Sequence, residues 1–203
     1  PYRNPCWTQG VQCIPCHRQD FDSNVTNDFC EIESLDDRFT IDVAIELYEG
    51  RSDAPFYLAV GLHKPHLPWQ AKKEHFDLYP VDGIAIAKHQ RAPIGMPGMA
   101  WANTDSPNPW TPIDEGGQRL ARRAYYAAVT GMDEQLGRLL DVMAPDAERT
   151  AVVFHGDHGW QLGEHAEWEK FSNFELATRC PLLIAVPWLD LYPTITHAFV
   201  ELV

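Results

Sequence analysis

The chain has 203 residues, 45% of them hydrophobic, which is enough to bury one sizeable core. Its 16 Lys and Arg against 29 Asp and Glu leave a formal net charge of −13, which argues against a nucleic-acid or anionic-membrane partner, since both need a net basic face. No apolar run approaches the ~20 residues of a membrane span, and the start at Pro1, without an initiator Met or a signal-peptide pattern, reads as that of a fragment.

Four of the cysteines, Cys6, Cys13, Cys16 and Cys30, crowd into the N-terminal stretch beside the glycosylation sequon Asn24-Val25-Thr26, a combination that points to a secretory, oxidising route. Cys13 and Cys16 have redox or zinc spacing, but with no second such pair, disulfide or free-thiol roles are favoured and the pairing stays open. Residues 1–34 are rich in Pro, Asn, Asp and Cys without periodicity and read as a cross-linked surface loop. Asp36 or Asp37 can then cap a helix in which Phe39, Val43, Ala44 and Leu47 recur at helical spacing up to Gly50.

Residues 55–61 form a short apolar run that reads as a strand and ends in His63, Lys64, Pro65 and His66, a fixed place for a proton donor or for positive charge facing an oxyanion. Residues 72–79 suit a helical turn, and residues 80–116 hold Pro and Gly densely enough for a long irregular connection, packed down by Trp101 and Trp110. Residues 118–143 are the clearest helix, with Tyr125, Val129, Met132, Leu136, Leu139 or Leu140, and Met143 as the core-facing stripe. Pro145 stops it. Residues 151–154 and 181–186 are apolar strands, so strand and helix alternate as in an α/β fold, a mostly parallel sheet flanked by helices.

The strand at 151–154 runs into His155, Asp157 and His158, punctuated by Gly156 and Gly159. A carboxylate beside an imidazole at the C-terminal end of a strand can ligate a cation or move a proton, in the place where open α/β sheets put their ligands. As residue types alone, Asp with His suits zinc or manganese as readily as calcium.

Asp157-His158-Gly159-Trp160, Leu162-Gly163-Glu164-His165, Glu167-Trp168, Lys170 and Ser172-Asn173-Phe174 resemble a metal-ligand segment of the sulfatases. Most sulfatases carry Asp-Asn where this chain has Asp157-His158, and the iduronate branch carries Asp-His. The resemblance covers residues 30–186 and fades where the family's Val-Pro-Gly becomes Val186-Pro187-Trp188. It implies a partial alkaline-phosphatase-like α/β domain over residues 35–186, preceded by the Cys-rich loop region 1–34 and followed by a divergent tail, 187–203. It also implies a calcium site that includes Asp157 and His158, a catalytic His63 that reaches the sulfate, a catalytic Lys170 on the sulfate ester, and Trp160 as a substrate-binding wall.

The activity so implied is removal of 2-O-sulfate from the terminal uronate of heparan or dermatan sulfate, with a sulfated glycosaminoglycan end as partner and a lysosomal or secreted location. The family's nucleophile is a formylglycine made from the cysteine of Cys-x-Pro/Ala-x-Arg. Cys13-Ile14-Pro15-Cys16-His17-Arg18 misses that pattern because Arg18 falls one residue late, so the formylglycine cysteine is expected outside this chain, which is then an incomplete and inactive portion. Plainer readings stand beside these: Lys170 among Glu167 and Glu169 as a solvated face, Trp160 as aromatic packing, and His165 as structural. Alternatives in function are a choline-sulfatase or phosphonate hydrolase of the same superfamily, or a truncated product that only binds a cation or glycan.

Overall fold

The computed structural model describes residues 29–31, 37–100, 114–189, 192–196 and 200. Cys6, Cys13, Cys16, the sequon at Asn24, Asp36, Trp101 and Trp110 lie outside the described residues. The chain divides into two compact units, Pro1–Ile86 with Ile113–Met143, and Ala87–Pro112 with Ala144–Val203.

In the first unit, strand β1 (Phe29–Glu31) pairs in parallel with β2 (Trp69–Ala71), in the register Phe29 to Trp69, Cys30 to Gln70 and Glu31 to Ala71. All three residues of β2 are buried, as in a strand covered on both faces. Helix α1 (Asp37–Glu49) buries Ile41, Ala44 and Tyr48 and leaves Phe39, Val43 and Leu47 exposed. Of the expected stripe, only Ala44 therefore meets the core. Both sets have helical spacing, and a helix with apolar residues around most of its girth does not reveal by periodicity which side meets the core.

Helix α3 (Glu115–Met143) departs from expectation in the same way. Its buried residues include Gly117, Ala121, Ala124, Ala128, Gly131, Gln135 and Leu139, which recur every three or four positions, while Val129, Met132 and Leu136 are only half-buried and Leu140 is exposed. Small residues let α1, β2 and the short helix α2 (Lys73–Asp77) come close to its axis. Ile41 and Ala44 pack with Leu139, flanked by Ile45, Val60, Leu62 and Met143, and full burial of a side chain such as Ile41 stabilises by roughly 1.5–3 kcal/mol. Arg123 on α3 closes the end of α2 by donating to Phe76 O at 3.0 Å and Tyr79 O at 2.9 Å.

Residues 55–61, expected as a strand, take part in no ladder among the described residues. Val60 nevertheless packs on the α1–α3 core, so the run is held by side chains where a strand would be held by neighbours.

In the second unit, β3 (Val152–His155) pairs antiparallel with β6 (Leu182–Ala185), and the hairpin β4 (Gln161–Leu162) with β5 (Trp168–Glu169) lies between them in sequence, followed by helix α4 (Glu175–Thr178). The hairpin buries Gln161, Leu162, Glu167 and Trp168. Val153, Leu183 and Ile184 on the β3–β6 ribbon are exposed.

The fold is mixed α/β, and among the described residues it contains three two-stranded sheets, one parallel and two antiparallel, in place of the expected mostly parallel sheet. No helix among the described residues is long and apolar enough to cross a membrane.

Candidate functional site

His63 belongs to the first unit. Its backbone N–H donates to Asp37 Oδ1 at 2.7 Å, and that of Lys64 donates to Asp37 Oδ2 at 3.0 Å. Asp37 is 2% exposed, so its carboxylate is a buried tether for the histidine segment in addition to being the first residue of α1. Sequence reasoning treated it as a cap. A carboxylate accepting from a segment 26 residues away leaves no local signature. The His63 ring is exposed and stacks on His66 with centroids 5.1 Å apart. Lys64, considered as charge for an oxyanion, is instead buried with its ammonium donating to Pro68 O at 2.7 Å.

A second polar cluster in this unit ties α2 to α3. Lys72 Nζ donates to Glu134 Oε1 at 2.6 Å, and His75 Nε2 to Glu134 Oε2 at 2.7 Å. The hydrogen bond to Glu134 raises the Lys72 ammonium above its ordinary 10.5. Burial alone would raise the Glu134 carboxyl, but the hydrogen bonds from Lys72 and His75 outweigh it and hold it below its ordinary 4.5. Glu74, His75 and Glu134 are close enough to hold a metal ion. Lys72 already supplies the counter-charge, and a cation there would have to displace it.

The second unit carries the other four residues singled out from sequence. Asp157 and His158 lie in the loop after β3, where the Asp157 side chain is 83% exposed and that of His158 29% exposed. Gly159 N–H donates to Ala177 O at 2.9 Å and Gly156 N–H to Pro181 O at 3.1 Å, which seats the loop on α4 and the start of β6. Trp160 follows at once. Its ring lies 6.2 Å from that of His158, and Lys170 Nζ stands 5.8 Å from the Trp160 centroid, within reach of a cation–π contact. His158, Trp160 and Lys170 therefore form one patch beside Asp157, assembled from the β3 loop and the residue after β5.

Backbone conformation around the hairpin is unusual. His165, Ala166 and Glu169 all have positive φ, at 58°, 63° and 69°, in a region that residues with a Cβ seldom occupy. The His165 ring stacks on Phe174 with centroids 4.4 Å apart, in keeping with a structural role.

Hydrogen bonding at His158 decides what the pair can do. His158 Nδ1 lies 2.8 Å from Gly159 O, and because a carbonyl oxygen can only accept, Nδ1 carries the hydrogen. In neutral imidazole that leaves a lone pair on Nε2, an atom buried without a hydrogen-bond partner among the described residues and 3.3 Å from Asp157 Oδ2. Two acceptors then face each other. Such a pair is repulsive unless a second proton or a cation lies between them, and an imidazole whose other nitrogen is fixed by a backbone carbonyl is the usual arrangement of a metal-ligating histidine. The donor set fits a cation. Asp157 supplies the hard oxygen that calcium prefers, and His158 the nitrogen that it accepts less often.

Comparison with known proteins identifies the family. Residues 8–201 match the family model described as Sulfatase. The chain is 38% identical over 190 residues to iduronate 2-sulfatase of Homo sapiens, covering 79% of this chain and 34% of that protein. It is 33% identical over 162 residues to choline-sulfatase of Rhizobium meliloti (strain 1021), covering 72% of this chain and 30% of the relative. Among solved structures, BT4656 in complex with its substrate D-glucosamine-2-N,6-O-disulfate aligns with a TM-score of 0.64 at 18% identity, covering 82% of this chain and 48% of the other, which speaks for the fold alone. The chain spans about a third of the length of the curated relatives it matches.

Proposed function

Because the chain belongs to the sulfatase family, whose model matches residues 8–201, we propose that it supplies part of the active site of a sulfuric ester hydrolase of the iduronate 2-sulfatase type. The observation that carries this reading is the pair of acceptors, His158 Nε2 and Asp157 Oδ2, at 3.3 Å with the imidazole hydrogen fixed on Nδ1. Support for the branch comes from the 38% identity to the human iduronate enzyme and from the resemblance of the Asp157-His158 pair to that branch.

Calcium bound at Asp157 and His158 would lend positive charge to the sulfate oxygens as charge builds in the transition state. Asp157 would hold it by an ionised oxygen, and His158 by Nε2. Lys170, half-buried beside Trp160 and with no ion pair among the described residues, can place its ammonium on the ester oxygen and neutralise the departing alkoxide. Trp160 offers an apolar face to the sugar. His63 presents an exposed imidazole for an anion or a proton.

The substrate in this proposal is a 2-O-sulfated uronate at the end of heparan or dermatan sulfate, and the location is lysosomal or secreted. The nucleophile belonging to this chemistry is formylglycine, and the 203 residues contain no Cys-x-Pro/Ala-x-Arg sequence. Residues 1–203 by themselves are therefore proposed to release no sulfate.

In the whole protein, Asp157→Asn is expected to lower bound calcium and sulfate release together, since it removes the charged ligand. Lys170→Ala is expected to keep calcium and lose about 100-fold in turnover, the scale of removing a positioned transition-state donor. Unchanged calcium content in Asp157→Asn sinks the metal assignment, and near-normal turnover in Lys170→Ala returns that lysine to a solvated face. The 33% identity to choline-sulfatase supports a second substrate reading. Faster release from choline sulfate than from a terminal 2-sulfated iduronate would establish it and leave the sulfatase class standing.

A further inference from the structure

Helix α4 meets the loop that carries Asp157 and His158 at Gly159, and that residue faces both ways. Its N–H donates to Ala177 O at 2.9 Å, and its carbonyl accepts from His158 Nδ1 at 2.8 Å. We propose that α4 is a positioning element for the cation site, fixing the tautomer and the aim of His158 through the peptide groups on either side of Gly159. The proposal builds on the cation reading of the same loop.

Closeness, and not backbone conformation, makes Gly159 a glycine. Its φ lies outside the left-handed region, whereas a Cβ at this position would stand 2.1 Å from Leu176 O and 2.5 Å from Arg179 O. Both are backbone oxygens and have no rotamer by which to move aside. The other end of the loop is seated less tightly, since a Cβ on Gly156 would meet Cys180 Cβ and Pro181 Cδ at 3.3 Å. Residues 176–181 thus form a saddle on which the loop lies.

The saddle is itself held. Ala177 is 2% exposed, its N–H donates to Phe174 O at 2.9 Å, and Arg179 pairs with Glu175 at 3.1 Å along the outer face. Loss of the seat would free the Gly159 carbonyl from its orientation, and His158 would then be able to carry its hydrogen on Nε2. That tautomer has no lone pair for a cation at the atom nearest Asp157.

The test uses the purified protein, calcium chloride as titrant in calorimetry, and 15N chemical shifts of the His158 ring as a readout of tautomer. Gly159→Ala is expected to weaken calcium binding by about 10-fold or more, the range seen when the partner orienting a metal-ligating histidine is removed, and to shift the ring signals away from the Nδ1–H form. Ala177→Gly serves if Gly159→Ala fails to fold, because it loosens α4 without adding an atom at the contact; a several-fold loss with the same spectral trend is expected. Unchanged affinity and unchanged tautomer in whichever variant folds overturn the proposal. Asp157→Asn separates the two levels: if it too binds calcium normally, the cation reading has failed, and if it alone weakens binding, only the role of α4 has failed.

Discussion

Residues 55–66 and 151–160 share a pattern, an apolar run followed by histidines, yet the molecule holds them by different means. The first stretch joins no ladder among the described residues and is fixed by a buried carboxylate, Asp37, which accepts from the N–H groups of His63 and Lys64. The second is a paired strand whose following loop is fixed by backbone hydrogen bonds from Gly156 and Gly159. A side-chain tether depends on charge and on two acceptor atoms, so a near-isosteric substitution weakens it by degrees. A backbone tether depends on shape, and one added methyl is enough to break it. A similar leaning runs through the two units: buried charges at Asp37 and Lys64 and the partly exposed Lys72–Glu134 pair with buried His75 in the first, left-handed residues and close glycine packing beside the buried Glu167 in the second.

The largest effect that tests this comparison is expected at Asp37. Asp37→Ala leaves two buried N–H groups without their acceptor and should cost about 3 kcal/mol, read by chemical denaturation. Asp37→Asn keeps one acceptor oxygen and should lose roughly half as much. If Asp37 acted only as a helix cap, Asn would replace it with little loss, and that result would erase the distinction between the two tethers.

A smaller effect of opposite sign is expected in the second unit. Gln161 is 1% exposed, and among the described residues neither atom of its side-chain amide has a hydrogen-bond partner. Leucine at this position removes that desolvated amide at similar volume, so Gln161→Leu should raise stability by about 1 kcal/mol. A loss in thermal or chemical denaturation would show that the hairpin also depends on side-chain polarity, and would blur the contrast.

The smallest effect concerns the partly exposed Lys72–Glu134 pair, where Glu134→Gln should cost under about 1 kcal/mol near neutral pH. Its pH dependence is diagnostic. The Glu134 carboxyl is held below 4.5, so its contribution is present above that pH and disappears as pH falls through the lower folded-state value. Lys72 is held above 10.5, so its contribution is complete below that pH and disappears as pH rises through the higher folded-state value. Denaturation midpoints of Glu134→Gln and the unaltered protein should therefore differ most between these limits and converge in acid. A gap that persists at low pH would assign the stability to packing.

How much was legible follows from which interactions are local. Helix α1, helix α3 and the strands β3 and β6 were readable because hydrophobic spacing and flanking Gly and Pro act within a few residues. The faces of those helices were legible only in part, at Ala44, Leu139 and Met143. Burial is decided by what packs against the helix, and the signal that points to the buried side of α3 is its small residues, Ala121, Ala124, Ala128 and Gly131, not its large ones. The tethers at Asp37 and Gly159 were not readable as such, since Asp37 acts on residues 26 positions away and Gly159 acts on α4 through space.

By itself the sequence determined the family: Asp157, His158, Trp160 and Lys170, the residues proposed for the site, stand within fourteen positions of one another in an order specific enough to point to the sulfatases. Tertiary structure alone decided how His158 is aimed. Whether Nε2 offers a lone pair depends on a hydrogen bond to the Gly159 carbonyl, and the peptide just before it, through the Gly159 N–H, is held by Ala177, eighteen residues further on. A hydrogen's position on an imidazole is fixed by the groups around the ring and is encoded in no neighbouring residue type. For that reason His158 could be singled out from the chain, and its hydrogen-bonded state only from the fold.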